Sequence, residues 1–300
     1  MTTVPNMQDG AALQARTRRK MGKRLSERLT AFVSYLLLIA GSVVILAPFT
    51  WMISTSLKRK IDVYVFPPEW IPDPVMWSNY REALTTFPFG LYTLNSFTIV
   101  VFVLLGTLLS CSFSSYGFAR LRAPGKDLIF LILLATLMLP SAVTMVPLYL
   151  LFNRLGWIDT FLPLIVPSFF GSAFFIFLMR QFYMGIPREL EDAARIDGCN
   201  AYSTWLRIMV PLTKPVLATV AVFCFMWTWN DFMGPLIYLT DESKRTIALG
   251  LSYFQGSARS SPEMHLLMAA TIYSIIPCVL LFFVSQKVFV KGIVFTGVKG

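Results

Sequence analysis

Six long stretches nearly free of charge constrain this 300-residue chain more than any other feature. They fall within Thr30–Leu57, Leu94–Ala119, Leu128–Asn153, Thr160–Met179, Pro215–Leu239 and Met264–Gln286, with Asp231 interrupting the fifth and His265 the sixth. A helix needs roughly 20 apolar residues to cross about 30 Å of hydrocarbon, and each stretch reaches that length. Backbone in lipid must satisfy its own hydrogen bonds, which leaves helices as the form such runs take. With 56% hydrophobic and 14% charged residues and a mean hydropathy of +0.64, the chain would not stay soluble as a globule. The reading is an all-α membrane protein with six transmembrane helices.

Charge sets the orientation. Placing both termini in the cytoplasm puts 18 of the 26 Lys and Arg inside and 8 outside, the bias that inserted helices follow. The net charge of +10 is then almost entirely this topology signal, which argues against nucleic-acid binding. Arg16, Arg18, Arg19, Lys20, Lys23, Arg24 and Arg28 precede the first run, as they would in a cleaved signal. That run is about twice a signal core and lacks a small-x-small cleavage site, so it reads as a retained anchor. Residues 1–28 form a basic tail, disordered or lying on the anionic inner face of the membrane. Cys111, Cys224 and Cys278 fall within runs and Cys199 between them; none sits in a paired motif, so no disulfide framework and no metal site is expected.

Between the fourth and fifth runs lies a patterned polar island. Pro187 can open a helix without wasting a donor, and Glu189, Glu191 and Asp192 load its first turn with the charge a helix N-terminus favours. Gly198 ends that helix through the left-handed conformation. A second helix starts on an Asn200 cap and stops near Pro211. Two short helices with a glycine corner make a shape suited to another protein's groove.

The island closely resembles the cytoplasmic signature of the membrane subunits of bacterial ABC importers, carried here by Glu191, Ala193, Ala194, Gly198, Ile208 and Pro211. Asp192 departs from it, standing where the family usually has a small residue; sugar-uptake members often keep an acid there. Trp227, Trp229, Asn230, Asp231 and Phe232 resemble the fifth-helix segment of the maltose-type subgroup, and Gly297–Gly300 its tail. The resemblance implies a binding-protein-dependent carbohydrate permease of the bacterial cytoplasmic membrane, spanning residues 29–300. Its parts would be an external segment at 58–92, a coupling-helix pair at 187–211 between spans four and five, and an external loop at 240–263. Implied partners are a second homologous permease, two ATPase subunits and an external solute-binding protein. ATPase coupling would fall to Glu191, Ala193, Ala194, Asp197, Gly198, Ile208 and Pro211.

The chain itself has no phosphate loop: Gly22-Lys23 and Gly125-Lys126 lack both the opening Gly and the following Ser or Thr of that motif. No nucleophile, base and orienter set stands in the water-exposed segments either, and no cofactor is implied. The expectation is a non-catalytic transport subunit whose ATP is hydrolysed by another chain.

Asp231 lies at bilayer depth, where a charge is costly unless it faces protein or water. Beside Trp227, Trp229 and Asn230 it is either an interhelical polar clamp or part of a sugar pathway. Trp70, Trp77 and Tyr80, in a proline-stiffened external segment, either dock a soluble partner or anchor at the lipid interface. Pro140, Pro147, Pro163 and Pro167 predict kinks in the third and fourth runs. His265 reads as a surface or interface residue. The cargo is a neutral sugar or, as the alternative, glycerol 3-phosphate or a polyol; the rival of another class is an ion-coupled carrier, which would show an internal repeat and more ionisable residues in its spans.

Overall fold

The computed structural model describes the backbone of residues 7–255 and 262–294, and side chains from 28 to 255 and from 262 to 286. The fold is built of helices joined by loops, with no strand among the described residues. In order the helices are α1 (Met7–Ser56), α2 (Ser78–Thr86), α3 (Phe89–Arg120), α4 (Lys126–Ala135), α5 (Ser141–Arg154), α6 (Leu162–Ile165) and α7 (Ala173–Met184). There follow α8 (Glu189–Ile196), α9 (Ala201–Thr204), α10 (Val210–Leu212), α11 (Lys214–Trp229), α12 (Met233–Tyr238), α13 (Ile247–Leu251) and α14 (Met264–Val294). The Gly297–Gly300 tail lies outside the described residues.

Among the described residues four helical segments are long and apolar enough to cross a membrane: Arg28–Ser56, Phe89–Arg120, Leu162–Met184 and Met264–Gln286. The count rises to six if each of two bent pairs is one span. One pair, Lys126–Met138 with Ser141–Arg154, turns through 101° at Leu139-Pro140, because proline disfavours the helical conformation of the residue before it. Pro147, by contrast, is accommodated inside α5. The other pair, Ala201–Leu212 with Lys214–Trp229, bends by 78°. The fifth apolar run is also divided, since α11 ends at Trp229 and α12 begins at Met233.

The N-terminal segment differs from expectation. Its backbone is helical from Met7 and continuous with the first span, in keeping with its many Ala, Leu, Gln, Arg and Lys residues. Between Arg28 and Ser56 the apolar side chains of α1 lie on the outside, where lipid or another chain must cover them.

The central strut is α3, which packs on α7, on the 166–170 turn and on α11. One core surrounds its inner half, with Cys111, Tyr116, Phe175, Met179, Tyr183, Trp205, Met209 and Val220. A second surrounds its outer half, with Phe89, Tyr92, Val100, Trp229, Ile247, Phe254 and Ala270. Gly106 lets the 166–170 turn approach closely: a Cβ there would lie 2.7 Å from the Phe169 ring. Ser110, one turn further on, donates to the Ser168 carbonyl at 2.9 Å.

Candidate functional site

The polar island folds as two short helical pieces joined at a corner. Pro187 lies one residue before the Arg188 cap of α8, so the helix begins slightly later than the sequence predicts. At the far end Gly198 takes φ +81°. Its N–H donates to the Arg195 carbonyl at 3.0 Å, and the Cys199 N–H reaches back to Ala194 at 2.9 Å, the paired bonds of a Schellman ending. Asn200 then caps α9, its Oδ1 accepting from the Ser203 N–H at 2.8 Å.

Pro211 does not end the second piece. It sits inside α10, and the preceding residues Trp205–Met209 widen into a π turn. Proline has no N–H for the carbonyl four residues back and its ring crowds that carbonyl; a widened turn relieves both.

The exposed residues of this unit mix apolar Leu190, Tyr202 and Ile196, the last 87% exposed, with charged Glu189, Asp192, Arg195 and Asp197. Ala193, Asp197, Gly198 and Pro211 are exposed too, Ile208 is half-buried and Ala194 is buried. Glu191 turns inward. Its carboxylate meets Arg120 at the end of α3, Nε to Oε1 2.9 Å, with side chains only 3% and 7% exposed. This is a charge contact rather than an aligned hydrogen bond, since neither atom has a hydrogen-bond partner. The same guanidinium donates through Nη2 to the carbonyls of Tyr183, at 2.6 Å, and Ile186.

Two helical turns earlier on α3, Ser112 bonds the Tyr183 hydroxyl at 2.9 Å and accepts from Trp205 Nε1 at 3.1 Å. Tyr116, between them, meets the Tyr183 ring edge-on. Ser112, Tyr116 and Arg120 share one face of α3 because they are spaced by four. The sequence shows polar residues on span two but not which partners they hold.

Where α11 gives way to α12, a cavity of about 280 Å³ is lined by Ser96, Ile99, Leu164, Trp227, Thr228, Asp231, Pro235 and Thr246. The Trp227 indole stacks on Phe175 and remains half exposed. Asp231 Oδ1 accepts from the Gly234 N–H at 3.1 Å, so the carboxylate caps the start of α12 instead of bridging two helices. Trp229 points away from the cavity: it is buried between Phe97 and Phe225, with Nε1 donating to the Ser274 carbonyl at 3.1 Å. Asn230 donates to the Met226 carbonyl and does not line the cavity. Of the four expected pathway residues the fold therefore brings two together, and adds Ser96, Thr228 and Thr246.

Residues 103–294 match the family described as the binding-protein-dependent transport system inner membrane component. This chain belongs to that family. The permease is 31% identical over 263 residues to the diacetylchitobiose uptake system permease protein NgcG of Streptomyces coelicolor, covering 87% of each chain. It is 31% identical over 268 residues to the sn-glycerol-3-phosphate transport system permease protein UgpE of Pectobacterium atrosepticum, covering 87% of this chain and 95% of that one. A chain of a bacterial ABC transporter involved in the import of the acidic polysaccharide alginate superposes at a TM-score of 0.77 with 25% identity, covering 87% of the permease and 97% of that chain. The permease is thus a non-catalytic, multi-pass inner-membrane subunit, and ATP hydrolysis belongs to a separate subunit. A subunit of this family implies a partner ATPase, a second permease and a solute-binding protein.

The 58–92 segment of the permease folds back on the end of α1. Lys58 is buried, its ammonium 4.1 Å above the Trp51 ring and bonded to the Glu69 carbonyl. Burial pushes that ammonium's pKa down, against the opposing pull of Glu69 and Asp62. Trp70 meets Trp51 edge-on and Tyr80 bonds Ser56, while Trp77, stacked on Tyr80, stays 70% exposed.

The 240–255 segment packs onto α3. Asn95 donates to the Ser243 and Arg245 carbonyls, and Ser96 accepts from the Ile247 N–H. His265, expected at a surface or an interface, is buried, its Nδ1 3.7 Å from Glu263 Oε2, on α14, the helix that α2 packs against. Among the described residues no group of three or more His, Cys, Asp or Glu is placed to hold a metal.

Proposed function

We propose that this permease forms half of the pathway of an ATP-driven importer for a neutral sugar or oligosaccharide. It has six spans with both termini cytoplasmic, and works with a second permease, two ATPase subunits and an external solute-binding protein. Residues 187–211 seat in a cleft of the ATPase through their exposed side, on which Leu190, Ile196 and Tyr202 stand among charged residues. Closure of the ATPase pair moves this unit, and the spans turn from inward-facing to outward-facing. Trp70, Trp77 and Tyr80 contribute to the surface that receives the binding protein.

The observation that carries the choice of cargo is the lining of the cavity at Asp231. It offers one indole, three hydroxyls and one carboxylate. Sugars are held by such a set: an apolar ring face against an aromatic, and hydroxyls paired with acceptors and donors. Among the described residues no Lys or Arg lines it, so a phosphate or uronate would meet Asp231 without a counter-charge. The cargo named for the chitobiose relative suits this lining better than glycerol 3-phosphate does.

Reconstitution of the full complex in proteoliposomes with labelled neutral disaccharides, glycerol 3-phosphate and an acidic oligosaccharide tests the reading. ATP-dependent uptake of a neutral sugar is expected. Uptake of glycerol 3-phosphate in preference would overturn it.

A further inference from the structure

We infer that Arg120 is a positioning residue that makes α3 and the 189–209 unit move as one body, so that the ATPase stroke enters the membrane through span two. The inference rests on the coupling role proposed above and adds the route by which the stroke leaves that unit.

Arg120 is the last residue of α3, and its guanidinium joins that helix to two others. The Tyr183 carbonyl lies in the last turn of α7 and the Ile186 carbonyl just beyond it, where the negative end of the helix dipole favours a cation. Glu191 lies in the first turn of α8. One planar fork therefore fixes the angle between the end of a span and the start of the coupling helix. Lys, a point charge without that fork, would not do the same.

The second piece of the unit is tied to the same face of α3 by a separate bond. Trp205, in the π turn, donates to Ser112, which also holds the Tyr183 hydroxyl. Two ties, at Ser112 and Arg120, prevent the unit from pivoting about either one. Both are buried, so water does not compete for them. The exposed side remains free for the ATPase, while Glu191 is already committed within its own chain.

The test uses the assembled complex, spin-labelled at Cys199 and at a cysteine replacing exposed Leu109 of α3, with Cys111, Cys224 and Cys278 changed to serine. In the otherwise native complex the distance distribution is expected to be narrow and the same with ADP as with ATP and vanadate. Arg120→Gln is expected to broaden it or to make it depend on nucleotide. In unlabelled complexes Arg120→Gln should lower uptake per ATP hydrolysed about tenfold, Trp205→Phe by a smaller factor, and Arg120→Lys by an intermediate one. If Arg120→Gln does not assemble, Arg120→Lys and Trp205→Phe carry the comparison.

A distance that changes with nucleotide in the native complex, or variants that keep both its narrow width and the native transport-to-hydrolysis ratio, would overturn the inference. The distance measurement needs no cargo. A wrong assignment of the sugar would show in the uptake panel and leave this result intact.

Discussion

Asp159 and Lys244, 85 residues apart, join two loops of the permease: Lys244 Nζ lies 2.7 Å from the Asp159 carboxylate and 2.8 Å from its carbonyl oxygen. Asp159 holds a left-handed backbone, φ +59°, and its Oδ1 also accepts from the N–H groups of Thr240 and Asp241. The loop before α6 is thereby pinned to the loop after α12.

The first prediction concerns this tie and pH. The Lys244 ammonium, followed by the backbone donors, holds the Asp159 carboxyl well below the usual carboxylate range; Asp159 in turn raises Lys244. A depressed acid stabilises above its unfolded value, about 3.9, and loses that contribution as pH falls through the lower folded value. A raised base stabilises below its unfolded value, about 10.4, and loses it as pH rises through the higher folded one. The tie should therefore persist from about pH 5 to 9. Both side chains are partly exposed, so salt screens the pair and the effect is small. Thermal unfolding of the complex at pH 7 should rank native above Asp159→Asn above Asp159→Ala, since Asn tolerates φ > 0 and keeps an acceptor while Ala does neither. The gap between native and Asp159→Asn should narrow toward pH 3. An Asn variant no better than Ala would count against the charge-and-turn account.

Gly198 supports a second prediction. A Cβ there would meet nothing within 4 Å, so substitution brings strain at φ +81° and no clash. Val should cost about 1–3 kcal/mol locally and uncouple the complex, whereas Asn, at home in the left-handed region, should keep most uptake. Asp tolerates the turn as well but places a charge on the exposed corner. Gly198→Asp should insert normally yet lose uptake by weakening ATPase association, read by co-purification; normal transport in that variant would remove the corner from the coupling surface.

At Asp231 the third prediction separates cap from cargo contact. Asn keeps the acceptor that starts α12, so Asp231→Asn should leave thermal stability unchanged while shifting the KM for uptake. Ala removes the acceptor as well and should add a loss of about 1 kcal/mol. A KM unchanged by Asn would leave Asp231 a cap alone.

What the sequence carried and what it withheld divide along a physical line. The Gly198 corner and the Asn200 cap were legible because each acts on backbone within a few residues of itself. The Pro140 break was legible as a kink but not as a turn of 101°, since proline fixes where a helix yields and its neighbours fix how far. Trp227 and Trp229 look alike in sequence. Two residues apart on a helix they point to different sides, and only the packing of α14 against α11 decides that Trp229 is core. That the Arg meeting Glu191 is Arg120 was out of reach for the same reason. Each residue is an ordinary charge beside an apolar run, and the pairing exists only once α3 and α7 lie together.

The last prediction sets two glycines of α3 against each other. At Gly106 a new methyl would press into the Phe169 ring and against Ser168, whose carbonyl is already held by Ser110, so the 166–170 turn cannot retreat without losing that bond. Gly106 and Ser110 form a small-xxx-small pair, the pattern by which membrane helices approach closely. Gly106→Ala should destabilise by about 1–3 kcal/mol, the usual cost of overpacking. At Gly117, in the same helix, a methyl would meet nothing within 4 Å. There Ala should be neutral or stabilising by about 0.5–1 kcal/mol, because glycine gives up more backbone freedom on folding. Thermal melting of the two single variants in the assembled complex decides the matter. Opposite signs are expected, and equal losses at both sites would mean that helix propensity in lipid, not the close approach of the 166–170 turn, governs these positions.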